Sequence, residues 1–444
     1  MAVWWQRLPP LFFSMEVSPF RGIRYNQGIV GDLAQVICPP YDVITPEQQR
    51  LYYQESSYNA IRLELPAESK ETTINRYQRA ANIFQQWLKQ GILQLDSVPN
   101  FYLHDHRFEY SDEKRKRRGL IACVKLEPWG SGIYPHEETF PKAKGDRLQL
   151  MRACQANFSP LLALYDDPQQ KIAQILSAVS RVKPVIETSV LSSATRGVQY
   201  NDGESHTLWA ITEPEIKQEL SQLLPSQPLY IADGHHRYET ALTYQQERTK
   251  EQTVTGKEAF NYVMLELVDF SDPGLVILPL HRLVRGIASS AVEGLEDQLK
   301  NFFVLETTSL EDESCHLPTD SCLGILGLQP GSLVLLRKRR DISFDAIMPG
   351  NRSRAYREFN ISILNHIILK KIMGLTPRED IAYTVNSKEV HQYIKEGKYQ
   401  LAFVLNPPQP EMVKAIADAK DRMPGKSTYF YPKLPAGLAI NPLD

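Results

Sequence analysis

The residues of this chain best suited to chemistry gather at Leu229-Tyr230-Ile231-Ala232-Asp233-Gly234-His235-His236-Arg237-Tyr238-Glu239-Thr240-Ala241-Leu242. A short apolar run ends in Asp-Gly and a helical pattern starts at once. Such a turn presents the first N–H groups of a helix, and the positive end of its dipole, to an anion. Gly234 admits a positive φ and close backbone approach. Asp233 can cap the helix, and Arg237 offers a planar fork that fits phosphate oxygens. His235 and His236 can donate hydrogen bonds or move a proton near neutral pH. Asp233, Gly234, His235, His236 and Arg237 therefore read as a phosphate or nucleotide site, with His236 also a candidate for proton transfer. The bland alternative is that Asp233 only caps the helix while the histidines bond core carbonyls. Zinc held by the histidine pair is disfavoured, because adjacent helical positions point about 100° apart.

A second segment, Tyr134-Pro135-His136-Glu137-Glu138-Thr139-Phe140-Pro141-Lys142-Ala143-Lys144-Gly145-Asp146-Arg147, packs a histidine, acids, lysines and an Asp-Arg pair into one loop. Glu137 is the preferred general base or metal-holding carboxylate, with His136 beside it; a solvated loop leading into a helix over 147–156 is the alternative. Mg²⁺ held by Glu137 and Asp233 is the expected metal. His281 and Arg282 follow an apolar run and can face an anion. Lys426 and Ser427 lie in Gly425-Lys426-Ser427-Thr428, which is not a P-loop: position 420 is Lys420 rather than Gly, and Tyr429-Phe430-Tyr431-Pro432 reads as extended chain. They can still reach a phosphate from a tail folded over the site, and Lys433 is a weaker candidate. Arg21, Arg24, Tyr25, Tyr41 and Asp42 could line the same cleft or simply pack an N-terminal strand and a Pro-Pro turn. The run Lys114-Arg115-Lys116-Arg117-Arg118 reads as the solvated tip of a hairpin. His104 and His106 share a strand face but lack a third ligand, so they read as hydrogen-bonding histidines. His366 reads as a buried, satisfied histidine.

These residues need a scaffold, and the 444-residue chain can build one. With 42% hydrophobic and 23% charged residues it has globular composition. Fifty Lys+Arg against 52 Asp+Glu give a charge of −2, so no bulk field draws the chain to DNA or an anionic membrane. Thirty Pro against 23 Gly favour extended segments and sharp turns over a helical bundle. No apolar stretch reaches the roughly 18 residues needed to span a bilayer. Five scattered cysteines without a CxxC pair fit a reducing cytoplasm. Helical periodicity covers 72–90, 168–180, 213–224, 235–247 and 361–373. Strand-like runs cover 101–110, 119–126, 183–189, 207–211, 228–232, 262–268 and 275–280.

Spread over these elements are Pro19-Phe20-Arg21-Gly22-Ile23-Arg24-Tyr25, Pro39-Pro40-Tyr41-Asp42-Val43-Ile44, His136-Glu137 with Asp146-Arg147, the segment 232–241, Pro279-Leu280-His281-Arg282 and the segment 423–433. In them the chain resembles the family called domain of unknown function 1015. The Asp-Gly-His-His-Arg box itself resembles the phosphate-binding turn of the ParB/sulfiredoxin superfamily, whose members include nucleotide-hydrolysing partition proteins, sulfiredoxins and free-serine kinases. That resemblance implies a mixed α/β fold: a ParB/sulfiredoxin-like core with added N-terminal and C-terminal α/β elements. It places Gly234, His235, His236 and Arg237 around phosphates. Where sulfiredoxins carry a catalytic Cys this chain has His235-His236, so sulfinic-acid repair is not expected. No helix-turn-helix follows, so DNA partition is not expected either.

The expected layout is a non-native or disordered extension over 1–14, with Met15 as the start of the regular chain. An α/β region with the His-Glu loop follows over 15–225, then the box region over 226–350, then a C-terminal helix and tail packing on the site over 351–444. The function expected is binding of a nucleotide such as ATP, ADP or CTP, or of a phosphorylated metabolite, with phosphoryl transfer or hydrolysis. A small hydroxylated acceptor such as serine would suit it. The alternative is a non-catalytic, ParB-like nucleotide sensor.

Overall fold

The computed structural model describes residues 15–68, 74–139, 141–188, 203–288, 292–309, 317–375 and 381–444; the extension expected over 1–14 lies outside the described residues. The chain is mixed α/β and forms two compact units. Unit one comprises Met1–Pro135, Thr139–Leu275 and Pro432–Asp444, and unit two His136–Glu138 and Val276–Tyr431. The chain thus changes unit at 135, 138, 275 and 431 rather than near 225 and 350, and the stretch from 351 onward is shared between the units.

Unit one is built on a nine-stranded mixed sheet. Its order is Ile133–Pro135, Leu229–Asp233, Leu161–Tyr165, Tyr262–Asp269, Glu113–Lys125, Phe101–Tyr110, Ser205–Ile211 and Ile186–Glu187, with Val17–Ser18 added beside Glu113–Lys125. Two neighbouring pairs are parallel: Leu229–Asp233 with Ile133–Pro135, and Tyr262–Asp269 with Leu161–Tyr165. Both faces are covered, so strand residues of either parity are apolar. Phe101, Leu103, Leu120, Ala122 and Leu265 join one core with Tyr238, Ala241 and Tyr244 of the helix His235–Glu251. Tyr102, Ile121, Cys123 and Met264 join the other with Ala80, Phe84 and Trp87 of the helix Arg76–Lys89. That helix begins where Asn75 accepts the Gln78 N–H and stops before Gly91, whose φ is 70°, later than the expected start at 72. The last residues return into this unit: Ile440 bonds Ile23, and Asn441–Pro442 pairs with Ala156–Asn157.

The basic run is not a hairpin tip. The turn is Ser111-Asp112, with φ of 51° and 61°, and the whole run lies inside the strand Glu113–Lys125. Arg118 clamps Asp105 at 2.7 and 2.8 Å, and Arg117 is fully buried. Positive φ at both central residues gives the twist that hairpins prefer, even though neither residue is Gly or Asn.

Unit two carries an antiparallel six-stranded sheet in the order Phe303–Ser309, Ser332–Lys338, Leu323–Leu326, Leu401–Val404, His281–Val284, Ile381–Thr384. Leu283, Leu326, Leu333, Leu335, Val390, Ala402 and Val404 form its core cluster. The first and last strands of this unit, Val276–Leu278 and Tyr429–Tyr431, pair with each other. The helix expected over 361–373 forms as a short α-helix, Asn360–Ile363, continuing into π-helical turns over Leu364–Ile372. His366 there is half-buried rather than buried, with Nε2 3.0 Å from the Tyr356 hydroxyl. Among the described residues no helix is long and apolar enough to cross a membrane.

The hairpin turn yields a direct stability test. Replacing Ser111-Asp112 by Asn-Gly relieves two left-handed residues and should raise stability by about 0.5–1 kcal/mol. A higher urea midpoint at unchanged slope is the expected outcome; a lower midpoint would contradict the turn geometry.

Candidate functional site

The strand Leu229–Asp233 delivers Asp233 to Gly234, and the helix His235–Glu251 starts at the next residue. Gly234 is left-handed, with φ 93° and ψ 24°. A Cβ there would lie 2.8 Å from Leu161 Cγ and 3.0 Å from Arg237 Nη2, so no other residue fits without a shift. No side chain of the N-cap closes the helix start. Instead, the Asp233 carboxylate accepts from Arg237 Nη2 at 3.2 Å and from Lys433 Nζ at 2.6 Å.

Arg237 is buried and uses its other end to hold the Ser159 hydroxyl at 2.8 Å and the Pro160 carbonyl at 3.1 Å. Ser159 lies 3.3 Å from a Glu64 carboxylate oxygen, and Arg147 donates to the Glu64 carbonyl at 2.6 Å while stacking 4.0 Å above the Tyr41 ring. A cavity of about 40 Å³, room for a water, is lined by Glu64, Arg147, Ser159 and Arg237 among others. Burial works against the Arg237 charge, but Asp233, Asp42, Glu64 and Tyr41 more than offset it, so its pKa lies above the ordinary arginine value. Three cations (Arg237, Arg147, Lys433) and three acids (Asp233, Asp42, Glu64) thus make a balanced, preorganised turn. His235 is buried and His236 half-buried. The helix Pro141–Cys154 starts before the expected 147, so the second half of the expected loop is helical; Lys144 of this helix and Thr139 just before it reach Glu239 at 2.8 and 2.6 Å.

Tyr41 and Asp42 therefore do join the Arg237 environment. Arg21, Arg24 and Tyr25 do not: Arg24 pairs with Asp96, Arg21 donates to the Asp96 carbonyl, and the buried Tyr25 donates to the Tyr58 carbonyl. Asp146 bonds Arg76 and Tyr77. Both oxygens of Asp233 face cations, so the carboxylate as held does not fit the Mg²⁺ expected there.

The other expected residues assemble in unit two. His136 is buried, with Nε2 2.8 Å from the Thr428 hydroxyl, and its carbonyl accepts from Met423 N–H at 2.6 Å. Glu137 accepts from Lys426 N–H at 2.6 Å. Glu138 pairs with Arg352 at 3.0 Å. Arg282 is buried and turns inward to the carbonyls of Leu280 and Lys426, the latter at 3.0 Å. Burial pulls its pKa down to about 10, against the opposing pull of Tyr383 and Glu137. Ser427 is buried and donates to the Pro424 carbonyl. Lys426 is exposed and holds a φ of 62°. Three segments far apart in sequence thus meet in one knot around the Lys426 backbone, in which Arg282 and Ser427 hold the chain rather than project outward. His281 accepts Leu405 N–H at 3.2 Å, and burial, then Arg282, lowers its pKa to about 4.

Ser159, Glu64 and the paired role of Lys433 were not legible as site residues. Ser159 and Glu64 stand in apolar or loop sequence without a chemical pattern. His104 and His106 gain partners from distant strands, described below.

The chain belongs to the family described as Protein of unknown function (DUF1015), whose sequence profile matches residues 17–413. No curated protein matches the chain in sequence. Among solved structures it is similar to a free serine kinase mutant in complex with ADP, at 11% identity and TM-score 0.35 over 70% of this chain and 87% of that one. It is similar to a conserved hypothetical protein from Pyrococcus furiosus at 11% identity and TM-score 0.34, over 72% and 94%. It is also similar to SbnI with a C-terminal truncation from Staphylococcus aureus, at 9% identity and TM-score 0.31 over 70% and 84%.

Two measurements probe this geometry. Gly234→Ala forces a side chain into a left-handed position against Leu161 and should lower stability by about 2 kcal/mol, read from urea unfolding. His281 is neutral when folded and protonates more readily when unfolded. Stability should therefore fall as pH drops from about 6.5 toward 4, with a contribution on the order of 3 kcal/mol from this group. His281→Asn, which can keep an acceptor for Leu405 N–H, should flatten that part of the acid profile; an unchanged slope would refute the assignment.

Proposed function

We propose that the chain binds a nucleotide or phosphorylated metabolite at the turn Asp233-Gly234-His235-His236-Arg237 and transfers or hydrolyses a phosphoryl group. The observation that carries this reading is the left-handed Gly234, which starts the helix directly beneath the strand end with a charged, buried Arg237 fixed behind it. N–H donors and a guanidinium locked in place before the ligand arrives suit phosphoryl chemistry, where positioning and charge neutralisation supply most of the catalysis. The likeness of the Asp-Gly-His-His-Arg box to the ParB/sulfiredoxin turn agrees with it.

In this reading His235, His236 and the first helical N–H groups meet the phosphates. Arg237, held by Asp233 and Ser159, fixes the turn and adds charge. His236 is the proton-transfer group in unit one. In unit two, Glu137 with His136 beside it is the candidate base, and Lys426 is the exposed cation next to it. Arg282 holds the Lys426 carbonyl and Ser427 the Pro424 carbonyl, so both brace the backbone beside Lys426, while His281 accepts the Leu405 N–H. Asp233 is committed to Arg237 and Lys433, so no step is routed through Mg²⁺ on it. A small hydroxylated acceptor such as serine is the first to try.

Calorimetry with ATP, ADP and CTP, followed by product detection with serine and water as acceptors, tests the reading. Arg237→Lys keeps the charge but loses the fork, and His236→Ala removes the half-buried imidazole. Each should weaken nucleotide binding about tenfold or more while the melting transition stays cooperative. Affinity unchanged in both variants would overturn the phosphate site. Tight binding without product, insensitive to Glu137→Gln, would make the protein a nucleotide sensor instead.

A further inference from the structure

The large sheet of unit one carries a second polar cluster that the turn does not use. On the face that holds Tyr102, Ile121 and Met264, the apolar pattern gives way. His104 and His106 follow Tyr102, Gly119 and Arg117 precede Ile121, and Glu266 follows Met264. His206 stands directly opposite His106 in register, and Glu204, just before that strand begins, reaches the same His106. His104, His106, Arg117, Glu204, His206 and Glu266 are each at most 1% exposed. So many buried polar groups are expensive unless something organises them.

The geometry is that of a ligand set. His106 Nε2 and Glu204 Oε2 are 3.3 Å apart, and His106, Glu204 and His206 each offer one ligand atom within 4.8 Å of the others. A charge-assisted N–H···O bond is normally about 2.7–2.9 Å. Two ligands on a tetrahedral ion with bonds of about 2.0 Å are about 3.3 Å apart, which is the separation found.

The support behind these residues has a direction. His104 Nδ1 is 2.9 Å from Glu266 Oε2, and His104 Nε2 is 3.0 Å from His206 Nδ1. With Nδ1–H of His104 donated to the carboxylate, its Nε2 accepts from His206 Nδ1–H. That assignment leaves His206 Nε2 with its lone pair. A carboxylate acting through a ring N–H is how histidine ligands are oriented. Gly119 makes this relay fit: a Cβ there would lie 2.5 Å from Glu266 Cγ and Oε1. Arg117 Nη2 lies 3.4 Å from His106 Nδ1, too long a contact to fix the tautomer, so Nδ1 can carry the proton and Nε2 the ligating lone pair while the guanidinium balances part of the acidic charge.

We propose that His106, Glu204 and His206 bind one divalent transition-metal ion of the zinc class, with His104 and Glu266 as positioning residues. Two imidazoles and one carboxylate favour Zn²⁺ or Co²⁺ over Mg²⁺ or Ca²⁺. The site stands independently of the nucleotide reading of the Asp233 turn.

Full-length protein stripped with chelator and titrated with Zn²⁺ should take up one ion per chain, and with Co²⁺ should show the visible absorption of a four- or five-coordinate site. Anomalous diffraction from zinc-loaded crystals should place a peak among His106, Glu204 and His206. Glu266→Gln should weaken the ion about 10- to 100-fold without abolishing saturation. Absence of stoichiometric uptake by the wild-type chain, or a peak elsewhere, overturns the site whether or not variants fold. Unchanged affinity in folded Glu266→Gln overturns the positioning role.

Discussion

One carboxylate, that of Asp233, holds the end of a strand one in from the sheet edge, the first turn of a helix and the returning C-terminal segment together. It does so by accepting from Arg237 at 3.2 Å and Lys433 at 2.6 Å. Removing one partner of a buried charge set typically costs about 3–5 kcal/mol, because the remaining charge is left uncompensated. Two cations on one anion would be unbalanced alone; Glu64 and Asp42 complete the balance and keep Arg237 charged despite burial. The rigidity of the turn therefore comes from electrostatics at residues separated by up to about 390 positions, rather than from local capping.

The sheet makes this possible by being covered on both faces. Its strands alternate two apolar cores, so any polar side chain along them must find a partner within the protein. At Asp233 the partners are cations on a helix and a tail. Further across the sheet they are histidines and glutamates facing one another, with Gly119 leaving the space they occupy. Both clusters sit where an apolar alternation ends while burial continues.

Local features were legible in the sequence and distant ones were not. The Asp-Gly step into His235 was readable because strand, turn and helix are contiguous there, and the helix is found at His235–Glu251. The mixed α/β character followed from short apolar runs between periodic stretches. The hairpin tip was misplaced because Ser111-Asp112 lacks the Gly or Asn that marks such turns, whereas the basic run resembles a solvated loop. His104 and His106 lacked a visible third ligand because Glu204 and His206 arrive from a strand about one hundred residues later. The division into units was hidden for a similar reason: the chain crosses between them within or beside strands, with no flexible linker in composition to mark the place.

The return of the tail into unit one also sets an order in time. Ile23 bonds Ile440, and Asn157 lies opposite Asn441, so early segments have partners made several hundred residues later. At a synthesis rate of about 5–20 residues per second, the early segment waits roughly 20 to 80 s for them. Unit two, whose main span ends at Tyr431, has nearly all its residues before that moment, including the borrowed strip His136–Glu138. The two units thus share one constraint: among the described residues, unit two pairs Val276–Leu278 only with Tyr429–Tyr431, and unit one pairs Ala156–Asn157 only with Asn441–Pro442, so both wait for the same late stretch of chain.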